Sequence, residues 1–135
     1  MQDILRDLIW VAIGGAVGGT ARYALSGFIA GRVGEVFPWG TLAVNASGAF
    51  AIGVVAAMAD RHSFFQGPIP WQVAVVGLLG SYTTVSSFSL QTLALIRDGQ
   101  SLRAGGNVLA SLILCLAGVA AGFALATSAI DFGAP

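Results

Sequence analysis

A chain of 135 residues that is 56% hydrophobic and only 9% charged is too poor in charge for an ordinary soluble domain, where about one residue in four is charged. Six arginines, no lysine and six acids cancel to a net charge of zero, which gives no sign of a nucleic-acid or acidic partner, and none is expected. One cysteine (Cys115) and one histidine (His62, in a polar connection) exclude a disulfide framework and a His/Cys metal site, and without converging titratable groups no enzyme is expected.

The amino terminus, MQDILRDLIW, has acids beside its arginine and leads into an apolar run too long for a cleavable signal core. That run is the first of four segments of roughly 20 apolar residues, the length that crosses a hydrocarbon core of about 30 Å. The first extends over about 8–30, broken only by Arg22, and is followed by the polar turn GRVGEVFP, which holds Glu35. The second covers about 39–59 and ends at Asp60-Arg61-His62; Pro68 and Pro70 open the third, about 71–96, which Arg97-Asp98-Gly99 closes. The fourth covers about 106–130. Trp10, Trp39 and Trp71 fall near span ends, where interfacial aromatic belts lie. The expectation is an all-α, multi-pass membrane protein: one four-helix transmembrane domain over 1–135, embedded in a lipid bilayer.

Arg6 and Arg61 lie on one side of these spans and Arg32, Arg97 and Arg103 on the other, so the positive-inside bias that fixes topology is nearly absent. Such balance suits a chain that inserts in both orientations and pairs with itself as an antiparallel homodimer. It equally suits a weakly biased chain with one orientation.

Polar groups inside spans are costly and usually face protein or a water-filled path. In the first span Gly14 and Gly18, and Gly15 and Gly19, have the spacing of close helix packing, the preferred reading. Arg22 lies two-thirds along that span, deep enough for a buried structural or anion-attracting role, with snorkelling to the interface as the alternative. In the second span, VNASG carries Asn45 with Gly48 one turn on. A lone membrane asparagine more often bonds a neighbouring helix, though its N–H groups can also donate to an anion. The third span is the most informative: seven of the nine residues from Ser81 to Ser89 carry hydroxyls. Hydroxyl side chains compete for backbone bonds and β-branched threonine crowds a helix, so the third helix is predicted to break at mid-membrane. Such a break is tolerated only where it is buried in protein or lines a cavity. Freed carbonyls there could bind a cation, and a half-helix N-terminus favours an anion. Asn107, Ser111 and Cys115 form one stripe of the fourth span, either a packing face or one wall of a polar track.

These motifs in combination, GGAVGGTARY, TLAVNASG, GLLGSYTTVSSFS and the weaker GNVLASLILC, resemble the Fluc (CrcB) fluoride channels along essentially the whole chain. The resemblance implies a dual-topology antiparallel homodimer in the bacterial inner membrane. It implies two fluoride pathways between the subunits and a structural Na+ held at the centre by main-chain carbonyls. Matched onto this sequence, those carbonyls are Gly80 and Thr83, and the two pathway aromatic positions are Val85 and Phe88. Ser86, Ser87 and Ser111 form the polar track, Asn45 stands nearer an entry vestibule, and Arg22 is the first-span arginine. Two residues depart from the pattern. Ser81 stands where glycine is usual, and Val85 stands where the family has a phenylalanine whose ring edge can face an anion. The rival readings are a small multidrug-type transporter, which needs a mid-span acid that this chain lacks, and a non-conducting membrane subunit.

Overall fold

The computed structural model describes residues 2–34, 36–61 and 67–133. Glu35 and His62, expected in polar connections, lie outside them. The described residues form helices only: α1 (Gln2–Val33), α2 (Trp39–Arg61), the composite third span, and α6 (Ser101–Gly133). The third span is α3 (Pro68–Trp71), a π-helical stretch (Gln72–Leu79), α4 (Gly80–Tyr82) and, after an interruption, α5 (Val85–Arg97). Four helical spans, Asp3–Val33, Trp39–Ala59, Pro68–Arg97 and Ser101–Phe132, are long and apolar enough to cross a membrane. The second coincides with its expected span, and the other three extend beyond both expected ends, because helices continue through the interface until a backbone signal stops them. For α1 that signal is Gly34, with φ of 84°; for α5 it is Gly99, with φ of 73°, where Gln100 N–H closes on Leu95 O at 2.8 Å.

The core is thin, as expected for helices that meet lipid: Leu42, Val44, Ala57, Leu79, Leu95 and Ala104 are the buried large-to-small apolar side chains among the described residues. Backbone proximity compensates. Gly14 and Gly18 are buried against the π-helical stretch, where a Cβ on Gly14 would overlap Val73 O and one on Gly18 would overlap Leu78 O. The second glycine pair behaves differently. A Cβ on Gly15 would meet Ser81 Oγ at 3.1 Å, whereas Gly19 faces open space. On the other flank α2 packs along α6, with Gly122 against the Phe50 carbonyl. α5 has no such bed. Among the described residues it packs only on α2 and α6, and its outer residues Leu90 and Ile96 are exposed.

Candidate functional site

The third helix does break, and the break is two residues wide. Thr83 (φ −81°, ψ 160°) and Thr84 (φ −152°, ψ 119°) are extended between α4 and α5. Thr83 sends both its N–H (3.1 Å) and its hydroxyl (3.0 Å) back to Leu79 O. Thr84 is buried, and α2 clasps its backbone: Asn45 Nδ2 donates to Thr84 O at 2.9 Å, and Thr84 N–H donates to Asn45 Oδ1 at 2.7 Å. Extended backbone at mid-membrane needs such partners, since lipid offers none. Gly48, one turn along α2, leaves room for the Thr83 methyl and the Tyr82 ring, which a Cβ would meet at 3.2 Å. The VNASG motif therefore builds the seat of the break, and Asn45 sits against it; the second N–H of its amide is left over from this clasp.

On the far side of the break Thr84 caps α5, its Oγ1 accepting from Ser87 N–H at 3.2 Å. The same Oγ1 lies 3.2 Å from Ser86 Oγ and donates to Ser87 Oγ at 3.2 Å. With the Thr84 proton directed to Ser87, the Ser86 hydroxyl is the donor of its own pair. The chain of donors then ends at the Ser87 hydroxyl proton, which remains for a ligand, and hydrogen bonds in series polarise one another in that direction.

Three cavities surround this segment. A groove of about 590 Å³ between α2, the break and α6 is lined by Asn45, Gly80, Thr83, Val85, Phe88 and Ser111 among others and is largely apolar. A cleft of about 600 Å³ opens toward the α1–α2 connection, lined by Ser26, Thr41, Ser87 and Gln91, with Asp98 and Gln100 at its outer end. A chamber of about 250 Å³ joins Arg22 to Ser26, Thr41, Thr84 and Ser87 and has no acid on its wall. The expected site residues thus fall in two groups. Asn45, Val85, Phe88 and Ser111 share the groove with the Gly80 and Thr83 positions; Arg22 and Ser87 share the chamber, and Thr84 borders both. Ser86 is exposed and lines none of the three. Ser26, Thr41 and Gln91 were missed from sequence. Thr41 and Ser26 look like ordinary span hydroxyls, and Gln91 acquires interest only because its Oε1 is buried without a partner on the cleft wall.

The carbonyls implicated in cation binding have a matching local chemistry. A continuous helix would bring Thr84 N–H to Gly80 O and Ser87 N–H to Thr83 O. Here Thr84 N–H goes to Asn45 and Ser87 N–H to the Thr84 hydroxyl, so both carbonyls lose their helical donors. Main-chain oxygens of this kind suit a hard cation, and the carboxyl end of a half-helix favours positive charge. The described residues hold no cluster of three His, Cys, Asp or Glu that could bind a metal by side chains.

The geometry is accompanied by close similarity to known proteins. The chain is 61% identical over 127 residues to a protein of Rhodopseudomonas palustris (strain BisB18) named fluoride-specific ion channel FluC 2, covering 93% of this chain and 97% of that one. It is 53% identical over 124 residues to a Bradyrhizobium diazoefficiens protein of the same name (91% and 90% covered), and 43% identical over 123 residues to a Methylocella silvestris protein named fluoride-specific ion channel FluC (90% and 94% covered). The sequence model of the family described as CrcB-like protein, Camphor Resistance (CrcB), matches residues 9–123, which takes in the second and third spans whole, most of the first and fourth, and every residue of the break, and the chain belongs to the CrcB family.

Proposed function

We propose that this protein is a fluoride channel that lets fluoride leave the cytoplasm passively across a bacterial inner membrane, working as an antiparallel homodimer. The observation that carries this reading is the acid-free chamber that joins Arg22 to the terminal Ser87 proton, in a chain 61% identical to a protein named for fluoride conduction. Fluoride holds its water tightly, so a path must replace that shell with donors; each hydrogen bond to a charge contributes about 1.5–3 kcal/mol. Arg22 raises the local anion concentration, Ser87 donates directly, and the spare Asn45 N–H and Ser111 extend the donor set along the groove. The largely apolar groove supports self-pairing, because a second copy laid across it would cover Phe88 and enclose the path. The main-chain carbonyls of Gly80 and Thr83, two from each subunit, would hold a structural Na+, which supplies charge neutralisation between the paired breaks. A multidrug-type exchanger is disfavoured because Asp3, Asp7, Asp98 and Asp131 lie at helix ends or turns rather than mid-span.

The test is fluoride efflux from liposomes that contain the purified protein, followed with a fluoride electrode, with chloride and a guanidinium compound as competitors. Rapid fluoride efflux with little chloride efflux is expected. Chloride moving as fast as fluoride, or proton-coupled guanidinium exchange, would overturn the reading.

Val85 gives a graded check. It is the first residue of α5 and 76% exposed beside the groove, so a larger ring meets no obstruction within the subunit. Valine offers no polarised ring edge. Val85→Phe is therefore expected to raise fluoride flux in the same liposomes with little change in thermal stability. An unchanged flux would assign that position to packing.

A further inference from the structure

One buried amide is left unexplained by the conduction path. Asn107 of α6 is 1% exposed and lies on none of the three cavities, although Val108 and Ser111 on the same helix line the groove. Its Nδ2 donates to Thr92 Oγ1 at 2.9 Å, and Thr92 Oγ1 in turn donates to Phe88 O at 2.7 Å. An amide buried in a span costs several kcal/mol on a hydrocarbon reference unless it is bonded, so this pair holds α5 to α6 at a defined height and rotation.

That constraint matters because of how little else fixes α5. Among the described residues it packs on α2 and α6 alone, and its outer residues Leu90 and Ile96 are exposed. Thr84, Phe88 and Thr92 follow one another at four-residue steps along a single stripe of the helix. Asn45 fixes the stripe at Thr84 and Asn107 fixes it at Thr92, with Phe88 midway between the two clasps. A rotation by one residue, about 100°, would turn Phe88 away and bring a serine in its place. Ser111 is one turn beyond Asn107, so the clasp that sets the height of α5 also sets which groove residue Phe88 faces.

We infer that Asn107 and Thr92 are positioning residues: they lock the rotation of α5 so that the Phe88 ring stands in the groove beside Ser111, without themselves contacting the ion. The functional part of this inference rests on the fluoride-channel reading; the geometric part does not, and the experiment separates them. Full-length protein with 4-fluorophenylalanine placed at position 88 is compared with its Thr92→Val, Thr92→Ser and Asn107→Leu variants by 19F NMR and by liposome flux. Thr92→Val removes the hydroxyl at constant shape, and Asn107→Leu removes the amide at similar volume. Membrane hydrogen bonds of this class bias a two-state equilibrium by about three- to tenfold, and a flux loss of that size is expected for both variants. Both should shift or split the 19F resonance, and Thr92→Ser should restore flux and spectrum. A resonance that stays in place in Thr92→Val and Asn107→Leu, even with lowered thermal stability, overturns the inference and makes the pair purely structural. Should Thr92→Val not assemble, Asn107→Leu alone decides by the same criterion. A parent protein that conducts no fluoride while the resonance still responds leaves the lock standing and removes the channel reading instead.

Discussion

Gly18→Val is expected to abolish the assembled, monodisperse protein in detergent, or to lower its melting temperature by well over 10 °C. The Cβ it adds would overlap Leu78 O and lie 2.9 Å from the Leu78 carbonyl carbon. Both atoms are backbone, so no side-chain rotamer can relieve the clash. Overpacking in a close-packed interior costs about 1–3 kcal/mol where side chains can adjust, and more where they cannot. The displaced segment is the π-helical stretch that leads into Gly80 and the break, so separation there also shifts the Thr83–Thr84 backbone away from Asn45. Gly31→Ala is the matched control, since that glycine faces open space and alanine is the better helix former. Thermal unfolding and size-exclusion profiles of the two variants make the comparison. Equal behaviour would show that α1 does not need its close approach to the third span.

How far the sequence leads can be traced residue by residue. The four spans are legible because lipid imposes a composition and a length that no packing detail can override. The break is legible for a related reason: seven hydroxyl residues in nine are poor helix formers with alternative partners at hand. Its width is not. Confinement to Thr83 and Thr84 depends on Asn45, thirty-nine residues before Thr84 in sequence, whose amide pairs with both the N–H and the carbonyl of that residue. The π-helical stretch is likewise invisible beforehand, because QVAVVGLL has the composition of an ordinary buried helix. Its wider turn lies where the stretch packs on the backbone of α1 at Gly14 and Gly18. The same limit applies to the fourth span. Asn107, Ser111 and Cys115 are one stripe by spacing, yet Asn107 is buried against Thr92 while Ser111 and Cys115 line the groove. Helical spacing assigns residues to a face, and only the neighbouring helix decides where along that face protein contact gives way to cavity.

Forcing a single membrane orientation is expected to eliminate fluoride efflux altogether. Arg6 and Arg61 stand against Arg32, Arg97 and Arg103, two against three, which leaves the positive-inside bias nearly absent. Asp3→Lys with Ser63→Lys and Gln66→Lys raises the first side from two basic residues to five, against three. Val33→Lys with Ser101→Lys raises the second from three to five, against two. Asp3, Val33 and Ser101 line neither the groove nor the chamber, and Ser63 and Gln66 belong by sequence to the polar connection between the second and third spans. Insertion bias then separates the two populations physically. An antiparallel pair needs one copy of each orientation to bring two breaks face to face, and with only one orientation present the four carbonyls of Gly80 and Thr83 cannot converge. Each variant expressed alone should therefore insert and resist proteolysis yet fail to release fluoride from cells or liposomes. Their co-expression should restore release, because the two chains supply the orientations that each lacks. Reciprocal rescue is the decisive result, since a folding defect in either chain would not be repaired by the other. If one biased variant conducts as well alone as the parent does, the antiparallel homodimer is wrong, and the groove beside Phe88 must be closed by something other than an inverted second copy.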